Sequence, residues 1–417
     1  MEQCFSGGFI EELSASNRVI STATEEETPS WGNLFVELFT SALHRADRTG
    51  SPIDVDTDHN GCISMVESFN YAALYDTNAE IPQYDDNGDR VGHTKLIPNG
   101  GDGSLGAQTY LGDCQGNSTL VINSTADPGD GVCNQNECTL REAIQSVNAG
   151  QAPMTITFAI PGQGVQTIRP LSPLPEIGRS VLIDGYTQPG SQANTNPTSQ
   201  GLNTILKIAL DGSLAGGNGL TISGGTVTVR GLAINRFAGY AVLVNSIGNL
   251  EGNFIGVDPT GQVNVGGGAV FAAPGSTLRI GDVTANARIL IVGSIVALVG
   301  QIEMRGNLVG VDRSGLIAIG QSNISIGKGG ITLGGTTPEA RNIVIGKISV
   351  DRSHPVDIQG NYLGVDVTGQ KILGEGSSLE GNGNGSYQII NNIIKGSPTA
   401  GVTFDTSYGS QLISNII

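Results

Sequence analysis

The sequence is short of charge. Only 14 % of its 417 residues are charged, against a usual share of about 25 %, so solubility rests on Asn, Ser, Thr and Gly. The shortfall is greater for positive charge: 21 Lys and Arg face 38 Asp and Glu, for a net charge of −17. That balance argues against a nucleic-acid partner, whose phosphates need Lys and Arg, and is compatible with divalent cations. Long apolar runs are missing too. The longest, Ile289–Gly300, spans 12 residues, too few for a bilayer crossing of about 20, and reads as consecutive core strands. No charged segment leading into an apolar one follows Met1, so no signal peptide is visible. Aromatic residues are scarce at 5 %. This weighs against a β-propeller, whose blades usually carry aromatic signatures. Glycine is abundant, with 62 residues, but lacks the Gly-x-y period that collagen requires.

What the chain does contain is a phrase repeated three times: Gly-Asn-Phe-Ile-Gly-Val-Asp at 252–258, Gly-Asn-Leu-Val-Gly-Val-Asp at 306–312 and Gly-Asn-Tyr-Leu-Gly-Val-Asp at 360–366. The copies begin 54 residues apart, and each is followed by a turn pair ending in Gly261, Gly315 or Gly369. A fixed period of this size signals a stack of similar units. Short β-branched runs alternating with Gly, Asn, Asp and Ser signal short strands joined by turns. An inner spacing, Arg230–Asn235 against the phrase at Glu251, suggests coils of roughly 20 residues, two or three to each unit. Such coils bury their apolar side only against neighbours along an axis. The expected fold is mainly β, a parallel β-helix. The next phrase would begin at Ser414, so the sequence is expected to stop within a repeat.

The N-terminal stretch differs. Gln3-Cys4-Phe-Ser-Gly-Gly8 suits a nucleophile on a tight turn whose backbone N–H groups could hold an oxyanion. A short strand is expected over Asn17–Ala23. An amphipathic helix is expected over Asn33–His44, with Leu34, Leu38 and Ala42 on one stripe and Phe35, Phe39 and Leu43 beside it. Together with Glu27 and Ser30, these residues resemble the bacterial caspase-like and legumain-like cysteine peptidases of clan CD. The resemblance covers roughly the first 110 residues and implies that Cys4 is the nucleophile. The caspase partner histidine lies about 50 residues upstream of the cysteine, whereas His44, His59, His93 and His354 all lie downstream. The stretch therefore reads as a small truncated α/β region, either with a stranded cysteine or completed by another chain.

Asp56-Thr-Asp58-His-Asn60-Gly61-Cys62-Ile-Ser64-Met-Val-Glu67 fits the EF-hand loop pattern at every required position. Asp56, Asp58 and Asn60 offer side-chain oxygens, Cys62 its backbone carbonyl, Ser64 a direct or water-mediated oxygen, and Glu67 a bidentate carboxylate for Ca²⁺. Because no loop of equal quality pairs with it, a structural clamp is expected rather than a sensor. A second acidic turn, Asp85–Asp89, has Leu96 where the closing acid should stand and reads as an Asx turn.

After a Gly- and Asp-rich linker at 98–118 come a strand-like Thr119–Asn123, an acidic loop Asp127–Asp130, and Cys133 and Cys138. These two of the five cysteines could close a small loop, and the odd total leaves at least one thiol free. Thr139-Leu-Arg-Glu142 makes a capping box. Leu140, Ala143, Ile144 and Val147 form one apolar face, and Gly150 is a natural stop. A helix here would cover the open end of the β core. Cys138–Ile144 resembles the CSLREA motif, with Thr139 where the family has Ser. The following Ile156–Pro161, Ile183–Pro189 and Gly334–Asn342 are also similar to secreted bacterial proteins that carry it. The resemblance runs from about Leu120 to Ile417. It implies a right-handed parallel β-helix (solenoid) with an N-terminal capping helix and a secreted or cell-surface setting, but no defined activity. The expected organisation is 1–97 peptidase-like, 98–118 linker, 119–150 cap and 151–417 β-helix.

Three functions fit these features. The first is a fragment of a surface protein whose β-helix is a structural, adhesive or binding module for a cell-surface polysaccharide or a protein ligand, beside a calcium-stabilised peptidase-like remnant. The second is part of an active clan CD peptidase that uses Cys4. The third is a polysaccharide-active enzyme. For the third, Asp184, Asp211, Asp258, Asp312 and Asp366 are the available acids, and their recurrence in turns favours turn geometry over catalysis.

Overall fold

The computed structural model describes residues 6–53, 55–57, 63–94, 102–103, 105–110, 118–150, 154–298, 300–351, 356–382, 386–397, 401–404 and 410–417. The chain divides into two compact units, residues 1–118 with 150–152, and residues 119–149 with 153–417. Among the described residues, no helix is long and apolar enough to cross a membrane.

The first unit contains α1 (Gly8–Leu13), β1 (Ile20–Thr22), α2 (Leu34–His44), α3 (Met65–Tyr75) and β2 (Gln83–Asp85), with β1 and β2 antiparallel. Its core joins Ala23, Phe35, Phe69, Ala72 and Tyr84. The inward face of α2 is largely the one expected. Phe35 and Ala42 are buried, Leu38 and Phe39 pack half-buried against the cluster of Phe35, and Leu43 packs against that of Ala42. Phe35 meets the edge of Phe69 at 6.0 Å, a favoured aromatic geometry. The helix stops at Arg45, in the left-handed region at φ +53°.

The second unit is mainly β and built from three long sheets, which we call A (11 strands), B (9 strands) and C (8 strands). All of the strand pairings resolved within them are parallel. The chain visits them in rotation. Val181–Asp184 lies in A, Ile208–Asp211 in B and Leu220–Ile222 in C; Thr226–Arg230 returns to A, Leu232–Asn235 to B and Val242–Val244 to C. Inward residues alternate with outward ones along each strand, as the β period of two dictates. The inward set forms one continuous apolar core running from Ile122 to Ile394.

The three repeated phrases fall on one line in sheet B. Ile255 pairs with Ile291, Ile291 with Val309, Val309 with Val344 and Val344 with Leu363. Each 54-residue period therefore holds two passes through the sheet, and the passes are unequal. The register advances by 36 residues, then 18, then 35, then 19. The long passes carry the extra chain as a hairpin, closed by the antiparallel bridges Val257–Asn264, Val311–Ala318 and Val365–Ile372. The hairpins also bond to one another: Arg313 N–H donates to Gly261 O at 2.7 Å, and Val367 N–H to Gly315 O at 3.0 Å. Together with the loop that supplies Leu202 and Leu206, they cover the outer face of sheet B and enclose a second apolar cluster around Phe254, Leu290, Leu308 and Ile343.

The asparagine of each phrase is buried. Asn307, Asn342, Asn361, Asn392 and Asn415 follow one another along the edge of sheet B. In the first four the amide Nδ2 donates to the Oδ1 of the next, at 2.9–3.1 Å. Each Nδ2 also donates to a carbonyl at the end of a strand in sheet A, that of its last residue at Ile280 and Met304 and of its next-to-last at Leu333, Ile358 and Ile389. The chain of amides satisfies the backbone at the corner where the strand must bend. Asn342→Leu would leave the Asn307 donors and the Met304 carbonyl buried without partners, at roughly 1–3 kcal/mol each. We expect a loss of about 3 kcal/mol in urea unfolding of the second unit; a loss below about 1 kcal/mol would show that the amide chain is not holding the corner.

Candidate functional site

Two acidic constellations emerge among the described residues, one in each unit. In the first, Ser64 precedes α3 and caps it. Its Oγ accepts from Glu67 N–H at 3.1 Å, and its own N–H and Oγ–H both donate to Glu67 Oε2 at 2.9 Å. The other oxygen, Glu67 Oε1, accepts from Thr57 N–H at 2.7 Å and from Thr57 Oγ1 at 3.0 Å. The carboxylate thus bridges the start and the end of the expected calcium loop. Asp56, next to Thr57, is buried and lies 3.6 Å from the Arg45 guanidinium. Of the six residues expected to bind Ca²⁺, Asp56, Ser64 and Glu67 are described; Asp58, Asn60 and Cys62 lie outside the described residues, as does Cys4.

The second constellation was not anticipated as a site. The loop before α4 (Leu140–Ala149) is pinned from several directions. A disulfide joins Cys133 and Cys138, whose Cα atoms are 4.1 Å apart. Arg141 forks onto Asp127, with Nε–Oδ1 at 2.7 Å and Nη2–Oδ2 at 2.9 Å, and also donates to the Ser172 and Pro173 carbonyls. Such two-pronged pairing fixes direction as well as distance. Glu142 completes the capping box with Thr139 and accepts from Gly131 N–H at 2.6 Å. As a result, carboxylate oxygens of Asp130, Glu137 and Glu142 lie within 4.8 Å of one another. Three carboxylates at that separation could hold a metal ion, and an all-oxygen set suits a hard cation. The sequence did carry a signal for this site, the acids of Asp127–Asp130 and Glu137 flanking the capping box. Glu142 reads there only as a cap because the loop that folds back onto it is set by the disulfide and by Arg141.

The remaining acids serve their own turns. Asp184 and Asp211 each cap a short turn and pair with arginine, Asp184 with Arg230 and Asp211 with Arg169 and Arg236. Asp258, Asp312 and Asp366 each accept from the Thr or Ser two residues on and from backbone N–H groups of the same hairpin. Burial raises the carboxyls of Asp258 and Asp366, but the hydroxyl and backbone donors outweigh it and hold both below the ordinary carboxylate range. Asp85 accepts from Gly88 N–H, and Asp86 from Gly103 and Gly106 N–H, so that turn is spent on backbone. His44 bonds within its helix to Thr40 O, and His93 Nδ1 lies 2.5 Å from the buried Asp102. His59 and His354 lie outside the described residues.

No protein-family model matches the chain, and no curated protein matches it.

Glu142 gives a pH prediction. Burial raises its carboxyl, yet the Thr139 and Gly131 donors pull it below its ordinary value. A depressed folded-state value stabilises the fold above the unfolded carboxylate pKa of about 4.3, and that stability is lost as pH falls through the folded value. Acid unfolding of the second unit should therefore begin at higher pH in Glu142→Gln than in the parent. Coincident acid-unfolding curves, followed by circular dichroism, would contradict this.

Proposed function

We propose that residues 119–417 form a right-handed parallel β-helix, closed at its N-terminal end by α4, and that it serves as a structural, adhesive or binding module of a secreted or cell-surface protein. The observation that carries this reading is the fixed rotation of the chain through three parallel sheets in unbroken register, since parallel crossovers are overwhelmingly right-handed. Such an array is stiff and repetitive, and its long sides present extended surfaces. The Cys133–Cys138 disulfide favours an oxidising compartment. The resemblance to CSLREA proteins points the same way.

Ca²⁺ is the proposed ion for both acidic sites. At the first, Asp56, Asp58, Asn60, Cys62, Ser64 and Glu67 would supply oxygens in the EF-hand order. At the second, Asp130, Glu137 and Glu142 would tie the loop to the cap helix. In each place the ion would neutralise clustered carboxylates and so brace a segment on a chain of net charge −17. The peptidase-like remnant around Cys4 is the alternative seat of activity. A free thiol, with a pKa of about 8.5, is mostly protonated at neutral pH and needs a positioned base, so the chain is proposed to be inactive toward peptides. Peptidase turnover abolished by Cys4→Ala would reverse that assignment. The polysaccharide-active reading is weakest, because the repeated aspartates are engaged in their own turns.

The calcium reading is tested on the full chain. Calorimetry should show binding at millimolar Ca²⁺ or below, within the roughly 10⁻⁷ to 10⁻³ M range of such loops. Glu67→Gln should remove the EF-hand component, and Glu142→Gln the cap component. The absence of any calcium heat, in protein that gives a folded circular dichroism spectrum, would discard both sites.

A further inference from the structure

The first unit holds two carboxyls that face each other. Asp76 follows α3 and caps it, donating its N–H to Ala72 O at 2.9 Å. Asp76 Oδ1 accepts from Asn78 N–H at 2.9 Å. Asp76 Oδ2 is buried and meets no donor, a state that buried acceptors normally avoid. The group within its hydrogen-bonding reach is the buried carboxyl of Glu80. Two carboxylates so placed do not both stay ionised; one proton shared between them satisfies the bare oxygen and removes the repulsion. No cation does this instead among the described residues, because Glu80 is the one charged group acting on Asp76. Nearby, Glu37 on the first turn of α2 pairs with Arg48 at 3.0 Å, and Tyr75 is exposed.

The pair sits where two segments are tied together. Glu80 Oε2 accepts from Trp31 N–H at 2.8 Å, and Asn78 Nδ2 donates to Trp31 O at 2.7 Å and to Glu80 Oε1 at 3.5 Å. The segment entering α2 is thereby joined to the one leaving α3. Trp31 stands four residues before Phe35, and Asp76 four after Ala72. The tie therefore joins the two helices next to the turns that carry the cluster of Phe35, Phe69 and Ala72. Each carboxyl is anchored by a backbone donor, Asp76 by Asn78 N–H and Glu80 by Trp31 N–H, so repulsion between the two acts across the tie. Burial raises the Asp76 carboxyl most, the Asn78 N–H lowers it, and Glu80 raises it further, to about 6.

We propose that the Asp76–Glu80 carboxyl pair is a proton-operated latch between the segment entering α2 and the segment leaving α3, closed when the pair shares a proton and loosened when both groups ionise. A carboxyl raised in the folded state contributes stability that is fully present below its unfolded value of about 3.9 and is lost as pH rises through the folded value. Through this pair the first unit is held more tightly in acid than at neutral pH. Glu142 in the second unit acts in the opposite direction, because its carboxyl is depressed. The latch depends on neither the calcium sites nor the binding-module reading.

Trp31 is the only tryptophan of the chain, so labelling the full chain with ¹⁵N-tryptophan gives one backbone amide resonance, that of the latch donor. Its chemical shift should titrate with a midpoint near pH 6. Its hydrogen exchange, corrected for intrinsic base catalysis, should be at least about tenfold faster at pH 7 than at pH 5. Asp76→Asn keeps the acceptor for Asn78 N–H and offers Glu80 a donor at every pH; it should keep the amide protected and abolish the transition. Glu80→Gln keeps an acceptor for Trp31 N–H and removes the facing charge. It should move the midpoint down, and it carries the test if Asp76→Asn fails to fold; circular dichroism at both pH values checks each variant. Equal corrected exchange at pH 5 and pH 7 in the parent, or the same rise in Asp76→Asn, overturns the latch. A transition that occurs only with divalent cations present, and disappears with a chelator while the fold is kept, assigns the pair to a bound ion and overturns it too.

Discussion

The second unit depends on how a chain turns a corner between two buried strands without stranding its backbone. At the edge of sheet B the chain leaves sheet A, bends, and enters the next strand, all at full burial. Water cannot reach the carbonyls there, and an unmet carbonyl costs of the order of 1–3 kcal/mol. From Asn307 onward an asparagine resolves this at each pass, because one amide can donate twice and accept twice. It donates to the carbonyl it would otherwise orphan and to the amide of the next pass, so each corner is satisfied only when its neighbour is formed. In the repeated phrases the Gly before it takes a positive φ, +73° at Gly306 and +67° at Gly360, whereas Arg341 before Asn342 stays at −60°. The three phrases share this Gly-Asn and the closing Gly-Val-Asp, while the apolar pair between them ranges over Phe-Ile, Leu-Val and Tyr-Leu.

The one break in the chain of amides shows what replaces it. Ile289 stands where the asparagine should be, and beside it Arg288 is buried to 1 % exposure. Among the described residues no carboxylate pairs with this guanidinium. It donates instead to the carbonyls of Gly306, Asn196, Pro197 and Gln200 at 2.7–3.1 Å, and burial pushes its pKa down to about 10. Still protonated at neutral pH, it pins the long loop that supplies Leu202 to the second apolar cluster. Losing a rung thus coincides with gaining an anchor for the layer that covers sheet B. A buried charge met only by carbonyl dipoles is costly unless every donor is used, and here four carbonyls from two segments are gathered on it.

Much of this was legible in the sequence, for a physical reason. Gly and Asn are tied to backbone geometry, so a stacked corner must repeat them, and the 54-residue spacing follows. What could not be read was the split of that period into passes of 36 and 18 residues. The short pass has no Gly-Val-Asp hairpin, and at Leu290–Ile291 it lacks even the asparagine, so nothing in its residues marks it as the same corner. The hairpins themselves looked like turn punctuation. Their role in covering sheet B appears only when Phe254, Leu308 and Tyr362 point outward beneath them. On α2 the period of the apolar residues marked the inward face, and what only the structure adds is that Phe35 meets Phe69 there.

The cap makes the same point for function. Read in isolation, Thr139 and Glu142 are a helix start and nothing more. Folded, Glu142 must satisfy Thr139 N–H and Gly131 N–H from opposite sides, and this draws the acidic loop in until Asp130 and Glu137 stand beside it. The disulfide fixes one flank of the loop and the Arg141–Asp127 fork the other. Three carboxylates brought this close could hold a metal ion. The same contacts that hold the start of α4 therefore create the cluster.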